Sequence, residues 1–203
     1  MVASFSPDSA TANYPFIDRV VYTCLMSIAV AVDLPSPGSR KTPGTLFEML
    51  MGSLLADVKG LPRFNEIEIP ENPERVTTDV FLKGREDQAN LVVVTKTTTR
   101  ERIVQVWAHQ RILDNIFGRG NYHSILIAAS ELHRDDQQTS VQENCVSGQV
   151  MLYQKHLAQL YGVYYLDLPA VYGSQSFTNV VLVSTLKDLF SSDLNALLTN
   201  KVK

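Results

Sequence analysis

The sequence predicts an α/β fold with a mixed central β-sheet flanked by helices, and two observations carry that reading. Short apolar runs of strand character at 76–83, 91–96, 124–130, 163–168 and 179–184 are interspersed with longer stretches of helical periodicity. The two kinds do not alternate strictly, so a purely parallel, doubly wound sheet is not expected. The 203 residues, 45% hydrophobic and 19% charged, suffice for one domain over 1–203 with a real core. No internal repeat or low-complexity tract divides them.

Each element has a local cause. Residues 1–13 are small and polar and are expected to be flexible. Residues 15–32 read as a mostly buried helix with Asp18 and Arg19 in its first turns. The following segment, 33–44, is a loop rich in proline and glycine. Thr45 is placed to cap a second helix over 46–58, closed by Gly60, with Leu46, Met49, Leu50, Ser53 and Leu54 on its inward face. The proline-containing stretch 61–73 reads as irregular. Runs 76–83 and 91–96 flank the polar turn 84–90 and form an antiparallel pair. Residues 100–117 are helical, packing through Ile103, Val106, Trp107, Ile112 and Ile116 and ending at Gly118. Helices over 148–161 and 186–198 complete the set.

Composition narrows the function classes. A net charge of −3 means that no general basic coat is available for nucleic acid, although a local cluster would suffice. Cys24 and Cys145 lack CxxC spacing and histidine companions, so reduced thiols are expected rather than a disulfide or zinc site. No basic segment precedes an apolar run at the N-terminus, and the apolar run 20–32 falls short of the roughly 20 residues a bilayer span requires. A cytoplasmic protein with no membrane partner is expected. No Walker A, GxSxG, HExxH or flanked GxGxxG pattern is present, so no small-molecule cofactor is expected.

The most informative stretch is Lys96-Thr97-Thr98-Thr99-Arg100-Glu101-Arg102, entered from the apolar run Leu91-Val92-Val93-Val94-Thr95. With the hairpin turn centred between Asp87 and Gln88, Asp79 lies opposite Lys96, Phe81 opposite Val94 and Lys83 opposite Val92. Opposed residues share a face, with β-carbons about 4.5–5.5 Å apart. A simple cross-strand ion pair would explain Asp79 and Lys96. Metal-assisted phosphodiester hydrolysis would explain them too, because it needs carboxylates for a divalent cation and a group that orients water. A second carboxylate is then required, and Val94, two residues before Lys96, cannot supply it.

Asp79…Val94-Thr95-Lys96 resembles the active-site hairpin of the PD-(D/E)xK nucleases. Lys96-Thr-Thr-Thr-Arg100-Glu101-Arg102 is similar to the K-x3-R-(D/E)-R motif of type II restriction endonucleases that recognise CCGG or CCNGG cores. The resemblance covers residues 78–111 and implies a restriction-endonuclease-like core, Mg²⁺ as cofactor, double-stranded DNA as substrate and a homodimer matched to a palindromic site. It also implies a catalytic Lys96 and base reading by Arg100, Glu101 and Arg102. Arginine is bidentate to guanine O6/N7, and an acid accepts from cytosine N4. Members of this group with an uncharged residue at the place of Val94 take their second acid from the helix after the lysine. His109 and Gln110 stand there in this chain, as accessory candidates.

Glu48 is the preferred substitute, since it interrupts the apolar run Leu46, Phe47, Met49, Leu50, Met51. Glu48 and Asp79 are thus the expected metal ligands, and Glu48, Asp79 and Lys96 the expected catalytic set; Asp57 is a weaker candidate. Lys83, Arg85, Arg111 and Arg119 could hold phosphates. The charged segment 130–136 reads as a solvated loop, and Tyr161, Tyr164, Tyr165 and Tyr172 as packing residues. A structure-dependent repair nuclease and a non-catalytic DNA-binding protein are the alternatives.

Overall fold

The computed structural model describes residues 16–33, 42–99, 103–134, 141–143, 146–173 and 179–199. Arg100, Glu101, Arg102 and Cys145 lie outside the described residues. Six strands form the main sheet: β1 (Arg63–Glu68), β2 (Arg75–Leu82), β3 (Asn90–Thr98), β4 (Tyr122–Ser130), β7 (Gly162–Tyr165) and β8 (Val183–Thr185). They lie in the order β1-β2-β3-β4-β7-β8. β1, β2 and β3 pair antiparallel, while β3, β4, β7 and β8 run parallel, so the sheet is mixed as expected. Two further strands, β5 (Leu132–Arg134) and β6 (Val141–Glu143), form a separate antiparallel ribbon.

Helices cover both faces. Along β3 and β4 successive side chains point to opposite sides. Leu91, Val93, Ile125 and Ile127 pack in one core with residues of α1 (Ile17–Asp33), α2 (Thr42–Lys59) and the C-terminal run 186–199, here α5. Val94, Leu126 and Ala128 pack in another with α3 (Val104–Phe117) and α4 (Ser147–His156). A strand buried on both faces reads as an unbroken apolar run, which is why β3 and β4 were visible in the sequence. α5 contains a π-helical turn, Leu189–Asp193, between α-helical pieces.

Several expectations are corrected. Residues 61–73 are not irregular: they include β1, an edge strand in which only Ile67 is buried. α2 begins at Thr42, so Thr45 lies inside the helix rather than capping it, and the buried face is Phe47, Met51, Gly52 and Leu55. Met49 and Ser53 are exposed. α1 is less buried than predicted, because it packs on one side only: Ile17, Val21 and Leu25 are buried, while Val20 and Val30 are 54% and 57% exposed. In α3, Ile112 and Ile116 are exposed, and Gln110 and Leu113 take their places inside. α4 stops at His156. In the 179–184 stretch only the end is strand. Gly60 and Gly118 end their helices with φ of +58° and +83°, a region glycine enters without penalty. Cys24 is half-buried and free.

Glu131 was expected in a solvated loop but is buried, 2% exposed. Its Oε1 accepts from the Tyr165 hydroxyl (2.5 Å) and the Tyr172 hydroxyl (2.7 Å), and Oε2 accepts from the Val146 amide (3.2 Å). The two tyrosine rings stack, and the Tyr165 hydroxyl is held far above the usual phenol range, first by its burial. This carboxylate ties the end of β4 to β7 and to the start of α4. Glu131→Ala leaves buried donors unpaired and should cost about 3 kcal/mol or more in urea unfolding. A loss below about 1 kcal/mol would mean that the cluster is replaceable by water.

Candidate active site

Registered pairing between β2 and β3 covers Val80↔Val93, Phe81↔Val92 and Leu82↔Leu91. This register is shifted by two residues from the predicted one, so Phe81 faces Val92 rather than Val94. A shift of two preserves the face on which each side chain lies. Asp79 and Lys96 therefore still meet, as diagonal neighbours, with Lys96 Nζ 3.6 Å from Asp79 Oδ2.

Asp79 is aimed by an irregularity in the sheet. On β1, Phe64 pairs with Phe81 and Glu66 with Thr77, which leaves Asn65 facing Thr78, Asp79 and Val80 of β2. Such bulges bend the strand and redirect a side chain. Beyond Val80 the Asp79 carboxylate takes the place of a ladder partner: its Oδ2 accepts from the Thr95 backbone N–H at 2.8 Å. The acid is thereby fixed between the parted ends of β2 and β3.

Glu48 reaches the same place from α2. Gly52, one turn later, presents bare backbone to β1; a β-carbon there would lie 2.6 Å from Arg63 Cζ. The Arg63 guanidinium crosses this spot and donates to Met49 O (3.3 Å) and Ser53 Oγ (3.2 Å), fastening α2 to the edge strand. The Glu48 carboxyl is held above the ordinary range, first by burial and then by the negative charge of Asp79; Arg63 and Lys96 pull it the other way. A partly buried carboxyl opposed by a second carboxylate in a cavity is a functional-site candidate.

His109 arrives from α3. Burial holds its ring below the usual imidazole range, with Asp79 pulling the other way and Lys96 adding to the lowering, and its Nδ1 is buried without a hydrogen-bond partner among the described residues. Glu48, Asp79 and His109 line one cavity of about 270 Å³ together with Asn65, Thr77, Thr78, Val94 and Gln105. Gln110 is committed elsewhere. Its Nε2 donates to Asp114 Oδ1 (2.7 Å) and Tyr122 O (3.0 Å), and its Oε1 accepts from Ser124 N–H (2.8 Å), pinning α3 to β4. Asp57 is exposed and does not line the cavity.

Four lining residues were not predicted. Asn65 lies on the unrecognised strand, and Thr77 and Thr78 accompany the bulge. Gln105 carried a usable signal, since it stands four residues before His109 on the same helix face.

Among the described residues no group of three His, Cys, Asp or Glu is placed to hold a metal ion. Glu48 and Asp79 supply two carboxylates that repel one another in the cavity. That donor set fits a hard divalent cation such as Mg²⁺, which takes one or two protein carboxylates and completes its shell with waters and phosphate oxygens. A closed all-protein cage is not what such a cation needs.

No protein-family model and no curated protein matches the chain. Among solved structures, the type IIP restriction endonuclease Kpn2I matches with a TM-score of 0.75 and 36% sequence identity, over 89% of this chain and 63% of that one. The chain thus spans slightly less than two thirds of the Kpn2I chain. Restriction endonuclease PspGI, solved with substrate DNA, matches with a TM-score of 0.52 and 14% identity, over 91% of this chain and 74% of that one, a likeness of fold alone. No helix among the described residues is long and apolar enough to cross a membrane. The mixed sheet with its flanking helices is the restriction-endonuclease-like fold.

Proposed function

We propose that this chain is a Mg²⁺-dependent type II restriction endonuclease that cuts duplex DNA at a short palindrome with a CC/GG-containing core. The observation that supports it most is the convergence of Glu48 from α2 and Asp79 from a bulged strand at one cavity, with Lys96 Nζ of the next strand 3.6 Å from Asp79. The likeness to Kpn2I supports the same class.

In this reading Glu48 and Asp79 hold the cation, which when bound supplies charge stabilisation to the phosphate under attack. Lys96 orients the attacking water, and its positive charge favours the hydroxide form. Water adds to phosphorus and releases a proton to solvent, the bond from phosphorus to the leaving oxygen breaks, and that oxygen takes a proton from solvent, so one water is consumed per bond cut. The Asp79–Thr95 hydrogen bond keeps the acid in place while the substrate enters. Plasmid cleavage with Mg²⁺, stopped by chelation, tests the activity; an intact plasmid over a range of divalent cations would contradict it.

Arg100, Glu101 and Arg102 are assigned to base reading on the motif alone, and a two-fold homodimer follows from a palindromic site. Arg102→Ala should cost about 1–3 kcal/mol of discrimination between cognate and altered sites. Uniform weakening on all sequences would instead make Arg102 a phosphate contact, as in a structure-dependent nuclease.

A further inference from the structure

On another face of α3 from His109, a second cavity of about 180 Å³ lies between the C-terminal ends of α3 and α4. Arg111, Arg119, Lys155 and His156 line it, against a single acid, Asp114. This concentration of positive charge stands out in a chain of net charge −3. Asp114 is already engaged, since its Oδ1 accepts from Gln110 Nε2 at 2.7 Å. None of the four basic side chains forms an ion pair with another described residue.

Lys155 and His156 occupy the last turn of α4, where a cation offsets the negative end of the helix by about 0.3–1 kcal/mol. That accounts for two of the four and not for Arg111, which stands more than a turn before the end of α3. Tyr161 also lines the cavity, its ring stacked on His123 with centroids 3.7 Å apart. Its hydroxyl is held above the usual phenol range, first by burial and then by the charge of Asp114. A phenol O–H is a hydrogen-bond donor. Two guanidiniums, an ammonium, an imidazole and a phenol around a small polar space suit a compact anion with several oxygens, and guanidiniums match phosphate in geometry as well as charge.

We propose that this cavity binds a phosphate group, carried either by a small free phosphate or by the backbone of a nucleic acid. The site is separate from the carboxylate cleft and does not depend on cleavage there.

Calorimetric titration of the full chain with inorganic pyrophosphate, without divalent cation, tests it. Saturable binding is expected. The Arg111→Ala/Arg119→Ala variant, altered at two exposed positions that should not disturb folding, should bind about tenfold or more weakly, the scale of lost charge-assisted hydrogen bonds. Lys96→Ala should bind pyrophosphate as the unaltered protein does. Displacement of pyrophosphate by a duplex oligonucleotide would assign the pocket to a nucleic-acid backbone, and its retention would assign it to a free phosphate. No binding, equal affinity in the double variant, or loss in Lys96→Ala instead would overturn the proposal.

Discussion

Lys96→Ala should reduce DNA cleavage by about 10²–10⁴-fold, the range found when a group that assists proton transfer is removed. Binding of duplex DNA should remain close to that of the unaltered protein, because the arginines assigned to recognition are untouched. Stability should change little as well. Lys96 and Asp79 are each 27% exposed and 3.6 Å apart, and ion pairs with that much solvent contribute about 0–1 kcal/mol. A rate collapse without a stability collapse would separate chemistry from a structural ion pair. Retained cutting would remove Lys96 from the mechanism.

Glu48→Gln should lower Mg²⁺-supported cleavage by on the order of a hundredfold or more, the scale for losing one charge-stabilising group. Without divalent cation the same change should be harmless or stabilising, with a definite pH dependence. In acid, below the carboxylate range, both proteins carry a neutral side chain and should be equally stable. As pH rises past about 4.3 the unfolded unaltered chain ionises at Glu48. The folded chain resists, because burial and Asp79 raise the Glu48 pKa. The folded state then binds more protons than the unfolded one, so stability falls with pH relative to the variant until the folded pKa is passed. Adding Mg²⁺ should reverse the order by stabilising only the protein that keeps both carboxylates. Denaturant unfolding of both proteins across pH, with and without Mg²⁺, reads all of this. Identical pH profiles, or an active Glu48→Gln enzyme, would shift attention to His109.

What the sequence could reveal depended on burial. β2, β3 and β4 stood out because covered faces demand apolar residues. β1 did not, since an edge strand with Asn65, Glu66 and Glu68 exposed carries no apolar run. The β2–β3 register differs from the expected one because the turn length leaves no local mark, yet the shift is an even number and the site face survives. α2 was judged one position out of phase, so the identity of its buried face was missed while Glu48 was not. A carboxylate inside an apolar run remains conspicuous whichever face it serves. Gln110 was read as a stand-in for a missing acid, whereas its amide joins α3 to β4; a sequence does not distinguish a buried structural amide from a ligand.

The central claim is that Glu48, Asp79 and Lys96 form a site that cuts DNA at defined sequences. Incubating mixed-sequence plasmid DNA with the protein and Mg²⁺, then sequencing every new end, tests it most directly. Ends confined to one short palindrome, and absent with Lys96→Ala, are the predicted result. Uncut DNA, or ends that persist unchanged in Lys96→Ala, would contradict it.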